Sequence, residues 1–160
     1  MKESIGYSVS LNIVITFIII IFAFLSAAIV YFRTNKANNV LIDTIQKYEG
    51  YNKKAKDTIE LKLLSLGYGS RAISCSPTLA GKSPFYSNTE TTCHYVDPDG
   101  STYNNNKGYC VYKCVDTGKE DYYYYKVRIN MMIGIPVIGD WLDIPIYSNT
   151  DRMYDFTSLF

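Results

Sequence analysis

Four cysteines, Cys75, Cys93, Cys110 and Cys114, and the single histidine, His94, are the residues whose types and spacing suggest chemistry. Thiolates and an imidazole are common zinc ligands, but no C-x-x-C pair is present and His94 adjoins Cys93. Adjacent residues of a strand face opposite sides, so those two cannot reach one metal. The cysteines therefore read as disulfides, with no metal site, and the lone histidine reads as structural. Cys110 and Cys114 stand four apart in "YCVYKC", which in a strand separates their Cα atoms by roughly 13 Å. That distance exceeds disulfide reach, so they should not bond each other, and two of the three connectivities remain. Antiparallel pairing around the 97–106 loop places Cys93 opposite Cys110 and leaves Cys75 for Cys114, and these are the expected bridges.

Other chemistry is sparse. "DPDG" at 97–100 suggests a Ca²⁺ loop through Asp97 and Asp99, but the remaining ligands are missing and Pro98 and Gly100 suit a plain type I turn. No catalytic residues are identified: there is no Gly-rich phosphate loop, no nucleophile motif and no recognisable grouping of carboxylates. The chain is read as a non-enzyme with no cofactor. A net charge of +1, with basic and acidic residues interspersed, argues against nucleic acid as a partner. Sixteen tyrosines stand out. In "DYYYYKV", Tyr123 and Tyr125 share a face with Val127, Ile129 and Met131, which is read as core. Tyr122, Tyr124, Lys126, Arg128 and Asn130 share the other, read as solvent or partner. The residues Tyr122, Tyr124, Lys126 and Arg128 are a candidate interaction face, since tyrosine offers wide contact area at low entropic cost. A Tyr-rich strand with two rings inside and two outside is the simpler reading.

The elements that would position these residues begin with a membrane segment. Ile13 to Phe32 is apolar except for Thr16 and Ser26, and at helical rise it spans roughly 30 Å, one hydrocarbon core. Cleavage after Ala28, as in a signal peptide, would leave a greasy new N-terminus, so the segment is read as a retained anchor. Arg33 and Lys36 follow it and mildly favour a cytoplasmic C-terminal side. The cysteines argue for an oxidising compartment and weigh more, so the C-terminal domain is placed outside the cell membrane. Arg33 to Leu66 then reads as helix interrupted near Gly50 and Asn52. One stripe comprises Ala37, Val40, Leu41, Ile45 and Tyr48, and a second comprises Ala55, Ile59, Lys62, Leu63 and Leu66, with Gly67 as C-cap. From Tyr68 the sequence turns to short strands and turns, with a polar tip at 103–109 and strands over Tyr109 to Val115 and Asp121 to Ile133. Two Ile-Pro steps, at Pro136 and Pro145, predict edge strands, the last running from Ile144 to Tyr154 and pairing back near Val127 to Ile133. The predicted class is α+β. A short head (1–12) precedes a transmembrane helix (13–32), which extends into amphipathic stalk helices (33–67) and a small antiparallel β-rich disulfide-bonded domain (68–160).

This order of parts resembles type IV pilins and pseudopilins, nearest in style to the TadE-like minor pilins of the tight-adherence (type IVc) system. The resemblance is carried by Lys2 and Glu3 in the head, Gly6, and "YSVSLNIVITFIIII" at the helix start. The closing "KVRINMMIGIPVIGDWLDIPIYSNTDRMY" is similar in style to the final strands of TadE-like proteins. It implies a prepilin peptidase as partner, cutting between Gly6 and Tyr7, and a mature helix that packs with like helices into a homo- or hetero-oligomer. Leu11 stands where those families carry a glutamate, which implies a non-polymerising minor or accessory subunit, or an unprocessed anchored protein, rather than a major pilin. A tethered extracellular adhesion module that does not polymerise is the other reading of the same layout.

Overall fold

A computed structural model of the chain describes residues 2–68, 73–85, 90–100, 104–105, 108–115, 122–135 and 139–154, with side chains described for all of these except 2–8, 82, 90, 104–105, 132–135 and 139–143. Asp121, Pro136 and residues 103, 106 and 107 of the polar tip therefore lie outside the described residues. The expected α+β class is what the structure has: a long apolar helix followed by an antiparallel sheet with two disulfides.

Helix α1 runs from Lys2 to Lys47 without a break. No proline occurs before Pro77 and no glycine between Gly6 and Gly50, so nothing in that stretch removes a backbone donor or loosens the helix. Its polar hydroxyls are absorbed internally: Thr16 donates to the Asn12 carbonyl at 2.8 Å and Thr34 to that of Val30 at 2.9 Å. The helix ends in a Schellman pattern, with the Gly50 N–H on the Ile45 carbonyl (3.0 Å) and that of Glu49 on Gln46 (3.1 Å). Glu49 takes the left-handed position there, at φ 51°. Asn52 then caps α2 (Lys53–Ser65), its side-chain oxygen accepting the Ala55 N–H at 2.9 Å. Gly67, at φ 67°, closes α2 with a second Schellman pair. The interruption at Gly50–Asn52 is thus a reversal: α2 folds back along α1.

The strands are β1 (Ile73–Ser74), β2 (Thr78–Lys82), β3 (Glu90–Tyr95), β4 (Asn104–Asn105), β5 (Tyr109–Val115), β6 (Tyr122–Ile135), β7 (Gly139–Asn149) and β8 (Met153–Tyr154). The main antiparallel sheet has the order β2-β3-β5-β6-β7, and β8 pairs the start of β6. Pro145 sits in β7 opposite Asn130, at the sheet's edge, where a missing N–H leaves no ladder bond open. The closing strand pairs with β6 near Val127 to Ile133 as expected, Ile144 lying opposite Met131 and Ser148 opposite Val127. It spans Gly139–Asn149 rather than Ile144 to Tyr154, and Met153–Tyr154 form a separate strand against the start of β6.

Both faces of the sheet are covered. On one, Ala37, Leu41 and Ile45 of α1 and Ile59 and Leu63 of α2 pack on Tyr109, Val111, Tyr125, Val127 and Ile129. The two stripes pack on the domain behind them, the reading that their amphipathic pattern favours over a free stalk. Each buried Leu or Ile contributes about 1.5–3 kcal/mol. Lys62 leaves its expected stripe and is exposed, reaching the Thr44 hydroxyl at 3.3 Å. On the other face lie Ile73, Cys75, Cys93, Cys110, Tyr112, Cys114 and Tyr124.

That second face holds the disulfides, and their pairing corrects the one expected from sequence. Cys75 bonds Cys110 and Cys93 bonds Cys114, with Cα atoms 5.9 and 4.1 Å apart. Cys93 lies opposite Cys114, not Cys110, because β3 and β5 pair four residues further along. An even slip leaves every side chain on its original face, so hydrophobic alternation cannot distinguish the two registers. The longer connection carries its own structure. It contains the 97–100 turn, closed by the Gly100 N–H on the Asp97 carbonyl at 3.0 Å, and β4, which pairs β1. Cys110 and Cys114 are not bonded to each other, as their spacing requires.

Trypsin places the four cysteines in separate peptides, 72–82, 83–107, 108–113 and 114–119. Non-reducing digestion followed by mass spectrometry is expected to give 72–82 linked to 108–113 and 83–107 linked to 114–119. Linkage of 83–107 to 108–113 would restore the shorter register.

Candidate functional site

The surface that most needs a partner is the first half of α1. Apolar side chains from Val9 to Phe32 are exposed all round the helix, with Phe24 at 74% and Phe32 at 70%. The helix is long and apolar enough to cross a membrane, and none of its most apolar window is buried within the chain. A continuous apolar surface of this size is incompatible with water and matches hydrocarbon. The two disulfides belong to an oxidising compartment. Gly6 and Tyr7 fall in the first turns of α1, as do the residues of the expected short head, which continue the helix rather than preceding it.

At Thr34 the environment changes. Thr34 is 1% exposed, and from there Ala37, Asn38, Leu41, Thr44 and Ile45 are all buried against the domain. Asn38 donates to the Ser148 hydroxyl of β7, and Gln46 donates to Asp151 at 2.9 Å. At the same level the end of α2 and the start of β5 approach the helix. Val30, Arg33, Thr34, Gly67, Tyr68, Gly108 and Asn130 line a cavity of about 180 Å³ there. Tyr68 crosses its rim to donate its hydroxyl to the Asn130 carbonyl at 2.5 Å.

A polar cluster in the domain was not foreseen from the sequence. Lys56 of α2 is 1% exposed, and its ammonium donates to both Asp97 and Asp99 of the DPDG turn, to the latter at 2.6 Å. The two carboxylates considered for Ca²⁺ thus hold an internal cation, and the turn is pinned to the helix. A signal was present: Lys56 stands three and seven residues before the buried Ile59 and Leu63, inside the apolar stripe. Burial opposes the Lys56 charge, yet its hydrogen bonds to Asp97 and Asp99 outweigh this and hold its pKa above the ordinary lysine value. The hydrogen bond from Lys56 holds the Asp99 carboxyl below the usual carboxylate range. Beside the cluster, the Tyr51 and Tyr109 hydroxyls meet at 3.1 Å, and burial pushes both phenols well above the ordinary tyrosine pKa.

The candidate interaction face on β6 is largely taken up within the chain. Tyr124 is 1% exposed, stacked edge-on with Phe85 and 3.2 Å from the Thr91 hydroxyl. It is core, not an outward ring, because segment 73–85 and the disulfides cover this face as the helices cover the other. Tyr122 packs edge-on with Tyr154, Lys126 lies over the Tyr147 ring, and the Arg128 Nε donates to Asn130 at 3.2 Å. Two of the four consecutive rings are buried, Tyr124 and Tyr125, one on each face; Tyr123, expected inside, is only half-buried. His94 is exposed while Cys93 is buried, as strand alternation requires, and disulfide bonding leaves no thiolate for a metal. Among the described residues, no three His, Cys, Asp or Glu side chains gather as a metal site.

No family model, curated protein or solved structure matches this chain.

The Lys56 cluster predicts an acid-sensitive domain. Asp99, with its lowered pKa, contributes stability that is present above the unfolded carboxylate value, about 3.9, and is lost as pH falls towards its folded value. The raised Lys56 value contributes stability that persists to about pH 10.4 and is lost only above it. The melting temperature should be flat from about pH 5 to 9 and fall below about pH 4. Lys56→Met strands the buried Asp97 and should cost about 3–5 kcal/mol. Lys56→Met combined with Asp97→Asn should cost less than that and lose less stability in acid. Thermal unfolding of the three proteins from pH 2 to 8 measures both effects.

Proposed function

We propose that the chain is a membrane-anchored, pilin-like structural subunit of a pilus or secretion assembly, with its N-terminus inside and its disulfide-bonded domain outside the membrane. The observation that carries this reading is the single unbroken helix from Lys2 to Lys47, exposed and apolar in its first half and buried in the domain's core in its second. Such a helix transmits position: wherever its apolar half packs, the domain follows rigidly, because Ala37, Leu41 and Ile45 are locked on β6. A flexible linker would tether the domain without fixing its orientation. That rigidity supports a role in ordered assembly over simple tethering. Leu11, five positions beyond Gly6, provides no carboxylate to pair with a neighbouring amine. An accessory subunit that packs beside others fits this better than a self-polymerising one. Acting by packing and display, it needs no catalytic group.

The second reading, a tethered binding module, draws support from the edge strand β7. Ile144 is 39% and Tyr147 45% exposed there, on opposite faces of the strand, so the edge offers an apolar contact on one side and an aromatic one on the other. The membrane helix separates the two readings. Replacing 9–32 with an unrelated apolar span should abolish incorporation into the assembly, scored by in-cell crosslinking, while the domain still folds with both disulfides. Retained activity after the swap would instead support the tethered module. Co-expression with a prepilin peptidase should give a mature N-terminus at Tyr7, blocked by Gly6→Val. An intact Met1 under those conditions would remove processing from the account.

A further inference from the structure

The cavity where α1 enters the domain has features that neither anchoring nor assembly explains. Between Glu3 and Asp43 the chain carries no acidic residue, and its only charges are Arg33 and Lys36. Both are exposed, one helical turn apart, immediately after the last apolar residue of the span. Among the described residues neither has a carboxylate within ion-pair distance. Arg33 lines the 180 Å³ cavity together with Thr34, Tyr68 and Asn130, and Val30 forms its lower wall. Gly67 and Gly108 bring two backbone turns to the same opening without side chains to fill it.

Depth identifies the occupant. Phe32, 70% exposed, is the last side chain suited to hydrocarbon, so Arg33 stands at the level of the lipid phosphates. A guanidinium there, with a planar fork of donors, is matched to a phosphate oxygen pair. The wall at Val30 suits the first methylenes of an acyl chain, and Arg33 and Tyr68 bring polar groups to headgroup level. We propose that this cavity seats one anionic phospholipid of the leaflet beneath the domain, its phosphate on Arg33 and its headgroup between α1, Gly67 and Gly108. The site rests on the reading of 13–32 as a membrane span. It also accounts for two cations on the side of the membrane that the positive-inside bias leaves poor in them. The lipid would fix the depth of the domain, as the Ala37–Ile45 stripe fixes its orientation.

The test uses the full chain in detergent micelles, mixed with phosphatidylglycerol and phosphatidylcholine of identical acyl chains and analysed by native mass spectrometry. The wild type should retain one phosphatidylglycerol, preferred about fivefold or more over phosphatidylcholine. Arg33→Gln should bring the two lipids to parity, Arg33→Lys should keep part of the preference, and Lys47→Gln, at the far end of α1, should keep all of it. Equal retention of both lipids by the wild type, or an undiminished preference in Arg33→Gln, would overturn the site. Displacement of the lipid by millimolar inorganic phosphate would assign the cavity to free phosphate and overturn the lipid reading. Failure of the underlying span reading looks different: the wild type would then remain monodisperse in buffer without detergent, whatever it binds.

Discussion

At Thr34 helix α1 passes from an exposed apolar half to a half buried in the domain without changing direction. Below it the side chains suit hydrocarbon on every side; above it one stripe, Ala37, Leu41 and Ile45, is sealed against Val127 and Ile129 of β6. The rest of the molecule depends on this continuity. A helix break at this boundary would free the domain to swing, whereas an unbroken backbone ladder ties the orientation of the sheet to the apolar half of the helix. The turn at Glu49–Gly50 and the Asn52 cap then return α2 towards the same boundary. The cavity at Arg33 is bounded by that return.

The sheet is thin, and each face is closed by a different means. The α1 and α2 stripes cover one face with aliphatic packing. Among the described residues, segment 73–85 covers the other, and there two disulfides and the buried rings of Tyr112 and Tyr124 take the place of a helix layer. A domain of this size gains little margin from area alone, so crosslinks that restrict the unfolded chain contribute a large share, of order 2–4 kcal/mol each. The Lys56–Asp97–Asp99 cluster links the layers from the helix side by pinning the β3–β5 connection to α2.

Much of this was legible in the residues. The span, the stripes at 37–48 and 55–66, the Gly67 cap, the 97–100 turn and strands β5, β6 and β7 all follow from periodicity and turn chemistry, because each is a local signal. The failures are non-local. The Cys93–Cys114 register differs from the expected one by an even slip, which alternation cannot detect. Tyr124 was assigned outward because strand alternation says only that two faces exist, not that both are buried. Lys56 sits in an apolar stripe, where its type suggested exposure. Only the three-dimensional approach of the DPDG turn reveals its partners. Function is less legible still, because the sequence carries no recognisable catalytic or ligand-binding motif.

The second half of α1 is part of the domain's buried core. Hydrogen exchange of the bilayer-embedded protein measures this directly. Amides of Ala37 to Ile45 should exchange together with those of Val127 to Ile129, at the slowest rate outside the lipid, since both belong to one unfolding unit. Exchange of 37–45 well ahead of β6 would mean a helix that frays from the sheet, and a domain merely tethered to its anchor.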